Sequence, residues 1–400
     1  MKQRASEAAV LLVAMVACGG GAAATGAGNA ATATPAGAST ATLASTTVAA
    51  TATSVPPATV GATSDPGATP VPDSTALPPL PPPRPATIHL GEGELAAGDD
   101  AFEHGDLAAA GRHYAAAPRG VPAGVGLARV RIARVDAPLD YASAKGNAEV
   151  VAAAGELARL ARAAPGFGPA FVELGRARLL LGDAGGAIDA LRRGAQLLPD
   201  EPEAHSQLGV ALLATGHAAD AVRELARAVE LDPGSAARHG NLGTALMMAG
   251  RTKEAVAEYE TRVRIDDGDA RAHSDLGTAL LGTQDLERAL SELQRAVELD
   301  PRRPSAHSNL GYALQQAGRM ERAVAEYREA LRLDPKLVSA WINLATALAR
   351  DPRTRGEARA ALARARALSP DDPRVKANIE ELDALEHGAD AGRDAPASGP

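Results

Sequence analysis

The chain has 400 residues, 46% apolar but only 2% aromatic, which excludes one large aromatic-rich core and favours closely packed helices rich in alanine. Lys and Arg total 41 against 49 Asp and Glu, so a net charge of −8 offers nothing to draw the chain to nucleic acid or anionic lipid. The single cysteine, Cys18, excludes an intramolecular disulfide framework.

In chain order, Lys2 and Arg4 precede an apolar run over residues 8–17 that is too short to span a bilayer, and Met15-Val16-Ala17-Cys18 then meets three glycines. Residues 1–17 resemble a bacterial lipoprotein signal peptide, with Met15 where Leu is usual and Glu7 in the charged segment as departures. The resemblance implies lipidation of Cys18 as the mature N-terminus, and Gly19 after it points to the outer membrane. The alternatives are an ordinary secretory signal cleaved near Ala17 or Ala24, or an uncleaved apolar N-terminus.

Residues 18–88 are Ala, Thr, Gly, Ser and Pro with almost no charge, ending in a proline-rich run over residues 77–85. Too few large apolar groups are present to offset the entropy of ordering, so a disordered tether is expected, stiffening toward polyproline II. Its root-mean-square reach is roughly 45 Å.

Residues 89–165 read as two divergent helix pairs. The first has a Gly105-Asp106 turn between helices; the second has a helix over 121–135, with Leu127, Val130, Ile132 and Val135 apolar and Arg129, Arg131 and Arg134 polar, and another over 147–164. Turn chemistry over 136–146 marks a loop between them.

From residue 168 the pairs Leu174-Gly175, Leu208-Gly209, Leu242-Gly243, Leu276-Gly277, Leu310-Gly311 and Leu344-Ala345 recur with a step of 34 residues (208 − 174), the mark of a stacked helical array. Six units span 168–371. Each has small residues at positions eight and ten and, in the first five, Ala at position twenty and Leu or Tyr at position twenty-four (Leu191, Leu225, Tyr259, Leu293, Tyr327), which predicts two helices in close approach. Prolines such as Pro199, Pro233, Pro301 and Pro335 end the second helix.

These units resemble the tetratricopeptide repeat. The resemblance implies an all-α solenoid, a right-handed superhelix of helix hairpins whose first helices line a concave groove, with neighbour-only contacts and capped ends. Residues 372–387 fit a capping helix, and 388–400 are expected to be disordered. In the third unit Arg262 replaces the small residue at position twenty-seven and Asp267 the terminating proline, so a looser joint with the fourth unit is expected.

His205, His239, His273 and His307 share position four, filled by Phe171 and Trp341 in the end units; stacking separates them by about 10 Å, too far for one metal ion, so they read as structural and no metal or cofactor is expected. No phosphate loop, nucleophile elbow or catalytic carboxylate pair stands in a plausible context, so the chain does not read as an enzyme.

The better candidate is a peptide-binding groove. Position six carries Glu173, Gln207, Asn241, Asp275, Asn309 and Asn343, and position nine includes Thr244, Thr278, Tyr312 and Thr346, with Met248 and Gln316 adding adaptable contacts. Amides suit an extended backbone because each offers a donor and an acceptor. The ladder is similar to the asparagine ladder of O-linked N-acetylglucosamine transferases, broken here by Glu173, Gln207 and Asp275.

The expected function is a membrane-anchored adaptor or scaffold for protein segments, with no nucleic-acid partner, in the cell envelope and facing the periplasm. Six units after a lipoprotein-type start resemble pilotins of type IV pilus or secretion systems. The alternative is a substrate-recruiting repeat region associated with an enzyme such as a glycosyltransferase.

Overall fold

The computed structural model describes residues 88–135 and 147–393; the proposed signal, Cys18, the tether up to residue 87, the loop over 136–146 and residues 394–400 lie outside them. The described residues form seventeen helices and no strand. Two divergent pairs come first, α1 (Glu94–Glu103) with α2 (Leu107–Ala116) and α3 (Val121–Ala133) with α4 (Ala148–Ala163). The regular hairpins are α5 (Gly168–Leu180) with α6 (Ala184–Leu197), α7 (Pro202–Ala214) with α8 (Ala218–Leu231), and α9 (Ala236–Met248) with α10 (Thr252–Ile265). They continue with α11 (Ala270–Gly282) and α12 (Leu286–Leu299), α13 (Pro304–Gln316) and α14 (Met320–Leu333), then α15 (Val338–Ala349) and α16 (Arg355–Leu368). The last helix, α17 (Pro373–Arg393), runs six residues past the expected end at residue 387 (393 − 387).

One contact generates each hairpin. A Cβ placed on Gly175, Gly209, Gly243, Gly277 or Gly311 would lie 2.4–2.8 Å from the side chain at position twenty-four, so only glycine lets that large residue reach the first helix. All five position twenty-four side chains are fully buried. Gly98 and Tyr114 make the same contact at 2.4 Å in the first divergent pair. Burying a Leu or Tyr in this way stabilises by about 2–3 kcal/mol each, more than any single turn residue contributes.

Each helix packs on the next, and first helices of successive units also touch, which puts them on the inner side of the curve. The pair α9 and α11 lacks that close approach. Arg262 is buried there, Nη1 donating to Asp275 at 2.5 Å and Nη2 to Asp269 at 2.7 Å. Gly240 makes room, since a Cβ on it would meet the guanidinium at 3.0 Å. At the joint expected to be loose, α10 packs on α11 as at the neighbouring joints, and an ion-paired cation fills the contact.

Arg129 corrects another expectation. Placed by periodicity on a polar face, it is only 1% exposed, while Leu127, read as apolar core, is 41% exposed. Arg129 Nε donates to Glu173 at 2.8 Å and Nη1 to Asp99 at 3.0 Å, the guanidinium lies 5.3 Å from the Phe102 ring centre, and Tyr114 Oη donates to Asp99 at 2.7 Å. The same network holds the first described residues. Leu90 N–H donates to Asp99 at 2.7 Å, Arg129 Nη2 donates to the Ile88 carbonyl at 3.0 Å, and both apolar side chains are buried.

Candidate peptide-binding groove

The inner face is built from positions two, five, six and nine of the first helices, which follow one another along one helix side at spacings of three and four. Between α7 and α9 it opens into a cavity of about 640 Å³ whose lining includes Glu203, Ser206, Gln207, Arg238, Asn241 and Ile265. The polar lining is partly committed. Gln207 Nε2 donates to Glu203 at 2.7 Å, and Arg238 pairs with Asp232 through Nη1 and with Glu203 through Nη2 at 3.4 Å. Burial pushes the Glu203 carboxyl above the usual carboxylate range, against the pull of Gln207 and Arg238.

Two buried atoms in this lining have no hydrogen-bond partner, Arg238 Nε and Asn241 Oδ1. Asn241, 7% exposed, lines the cavity, and neither unpartnered atom is itself open to solvent. One free donor and one free acceptor, three residues apart on α9, match the carbonyl and N–H that an extended chain presents. Ile265 stands at the rim, 42% exposed, as an apolar contact without cover.

Of the residues singled out by sequence, Gln207 and Asn241 come together here. The others are engaged within the array or stand apart from the cavity. Asp275 pairs with Arg262, and burial pushes its carboxyl up to about 6 against the pull of Arg262 and Arg271. Thr244 Oγ1 donates to the Gly240 carbonyl at 2.9 Å and lies 3.1 Å from Tyr259 Oη. Asn309 Nδ2 donates to Ser274 and Thr278 hydroxyls at 3.4 and 3.3 Å. Gln316, exposed, donates to Tyr312 Oη at 2.7 Å. Thr346 Oγ1 donates to Asn378 of α17 at 2.7 Å, so the last helix covers that end of the face. Asn343 is buried and Met248 half-buried, and neither lines the cavity. Glu203, Arg238 and Ile265 were missed; the signal for the first two was the charged pair at positions two and three of adjacent units, and Ile265 gave none.

The four position-four histidines form staples. In each, Nδ1 lies 2.7–2.8 Å from a glutamate nineteen residues on (Glu224, Glu258, Glu292, Glu326), and Nε2 lies 3.0–3.1 Å from a main-chain carbonyl six residues back. Each staple ties a first helix to its own second helix and to the preceding turn. Trp341 repeats half of it, Nε1 donating to the Pro335 carbonyl at 2.9 Å.

Residues 178–242, 212–279, 274–338 and 321–373 match family models described as tetratricopeptide repeat. The hairpins within residues 178–373 are tetratricopeptide repeats. Among solved structures, the array is similar to a chain of the APC/C hetero-tetramer Cut9-Hcn1, with TM-score 0.51 and 16% identity over 72% of this chain and 55% of that one, a likeness of fold. It also matches MamA from Desulfovibrio magneticus RS-1 (TM-score 0.40, 25% identity, 42% of this chain and 96% of that one). Pseudomonas aeruginosa pilF matches with TM-score 0.46 and 19% identity over 54% and 97% of the two chains. No curated protein matches the sequence significantly. Tetratricopeptide repeats generally serve protein–protein interaction, so the coarse role is that of a protein-binding scaffold.

Proposed function

We propose that this chain is an envelope adaptor that holds an extended segment of a protein partner against the inner face of its repeats. The observation that carries the reading is the α7–α9 cavity, where a buried donor and a buried acceptor stand without partners beside an uncovered Ile265. Leaving such groups unpaired costs about 1–3 kcal/mol each, a cost that a bound main chain removes. The lipoprotein-type start around Cys18 supports anchoring to a membrane through a lipid, and the outer membrane is favoured by Gly19. Assistance in assembling a pilus or secretion complex is the finer form of the proposal, supported by that start and the six regular units.

Cross-linking in whole envelopes, followed by identification of captured proteins, tests the groove. The full chain is expected to capture a defined partner, and Arg238→Ala with Asn241→Ala to lose it by at least tenfold while the helical content holds. An unchanged set of captured proteins with the double variant would reject the site. For the anchor, blocking lipoprotein processing is expected to leave a heavier precursor; unchanged mass and fractionation would show that Cys18 carries no lipid.

A further inference from the structure

We infer that the inner face carries a second contact for the partner segment, between α11 and α13, where Arg271 and Arg303 take an acidic side chain of that segment. The inference rests on the reading of the inner face as a groove for extended protein chain. Its starting point is a missing acceptor. Among the described residues every other arginine that is not exposed has a hydrogen-bond acceptor, as Arg129, Arg176, Arg238 and Arg262 do, whereas the guanidinium of the half-buried Arg271 has neither a hydrogen bond nor an ion pair. Burial pushes that guanidinium below its usual range, and Arg303 and Arg262 add to the effect against the pull of Asp275 and Asp269.

The repeat itself says where Arg271 stands. Two steps of 34 (271 − 203) carry the cavity-lining positions Glu203, Ser235 and Arg238 to Arg271, Arg303 and Ala306. The same places therefore change sign: the buried acid of the α7–α9 cavity becomes an arginine, a serine becomes a second one, and the arginine becomes an alanine. Helices α11 and α13 touch as α7 and α9 do, so both arginines flank one stretch of the inner face.

The carboxylates at hand are already committed. Asp269 and Asp275 accept from Arg262 at 2.7 and 2.5 Å, while Asp300 accepts from Arg303 Nε at 3.1 Å and from the Arg302 main-chain N–H at 3.2 Å. Both Nη groups of Arg303 stay without an acceptor among the described residues. Two guanidinium forks with open donors suit a carboxylate, which accepts a pair of parallel N–H bonds from one fork and keeps lone pairs for the other. With roughly 10 Å between neighbouring first helices, this contact lies about 20 Å from the α7–α9 cavity, a distance that an extended chain covers in about six residues. The acid is therefore expected about six residues from the side chain that enters the cavity.

Selection by the purified full chain from a library of random dodecapeptides tests this. The peptides are displayed by fusion through their C-termini, so side chains supply their only carboxylates. The expected result is a shared position enriched about fivefold or more in Asp and Glu, and its replacement by Lys and Arg when Arg271→Glu does the selecting. Arg271→Gln should weaken the best peptide by about tenfold, and Arg322→Gln, at an exposed arginine of α14, by less than about threefold. Because the Arg271 guanidinium is bonded to nothing in the free chain, Arg271→Gln should also keep the thermal midpoint of the natural chain. Peptides selected without an acidic preference, or with one that Arg271→Glu leaves unchanged, would overturn the inference and leave the groove standing. A lowered midpoint would show that Arg271 serves the fold instead, and selection of no peptide at all would remove the groove reading and this contact with it.

Discussion

Gln284 is the only described residue other than glycine with positive φ, 64°, at a turn where Gly182, Gly216, Gly250 and Gly318 stand one or more steps of 34 away. A side chain in the left-handed region costs about 1–2 kcal/mol, partly returned by the smaller freedom of the unfolded chain relative to glycine. Gln284→Gly is therefore expected to stabilise the α11–α12 hairpin by up to about 1 kcal/mol, read by hydrogen exchange of its amides. His307 gives the residue scale its pH dependence. Both of its ring nitrogens face acceptors, the Glu326 carboxylate and the Pro301 carbonyl, and only the doubly protonated ring donates to both. The Glu326 hydrogen bond, helped by the Pro301 carbonyl and opposed by burial, holds the ring above its usual range. A histidine raised on folding contributes fully below about pH 6.5, and the contribution is lost as pH rises through the folded value. The stability gap between the natural chain and His307→Phe, from denaturant titrations, should be wider near pH 5.5 than near pH 9.

At the scale of elements, the buried Arg262 makes the third joint unlike its neighbours. Arg262→Ala strips Asp275 of its close partner in a buried site, a class of change costing about 3–5 kcal/mol. Adding Asp275→Asn should recover part of that loss because an amide tolerates burial better than a carboxylate. Hydrogen exchange in α10 and α11 measures both steps, and equal protection in the single and double variants would show that the ion pair does not hold the joint. The helices themselves were legible in the sequence, since Gly at position eight and Leu or Tyr at position twenty-four are a local pair set by sterics. Arg129 was not, because its partners Asp99 and Glu173 lie 30 and 44 residues away and periodicity along one helix assigns a charge to the solvent side. The acidic breaks in the position-six ladder carried the clue: Glu173 and Asp275 depart from amides because each receives a buried arginine from the unit before. The groove was legible as a face but not as a site, since which amides stay unpartnered depends on neighbours such as Ser274 and Thr278 that only packing supplies.

For the whole molecule, contacts between adjacent helices and adjacent units make stability a sum of unit and joint terms. Helix α17 closes the far end, burying Val375 and Leu382 against the last hairpin, while Arg359 bridges to Asp383 and Glu386. Removal of residues 373–400 should therefore expose that apolar face and raise exchange in α15 and α16 by tenfold or more while α7 to α10 keep their protection. Uniform loss of protection along the array would mean that it unfolds as one cooperative body instead.

At the near end, the seat of residues 88–90 decides how the molecule bears mechanical load. A pull on the chain upstream of Ile88 falls first on the Ile88 carbonyl held by Arg129 and the Leu90 N–H held by Asp99. Arg129 is itself bonded to Glu173 of α5, so tension passes into a third helix pair before the first hairpin is drawn apart. The buried guanidinium works as a cable clamp, and a tug that would peel a bare terminal helix is spread across the body of the array.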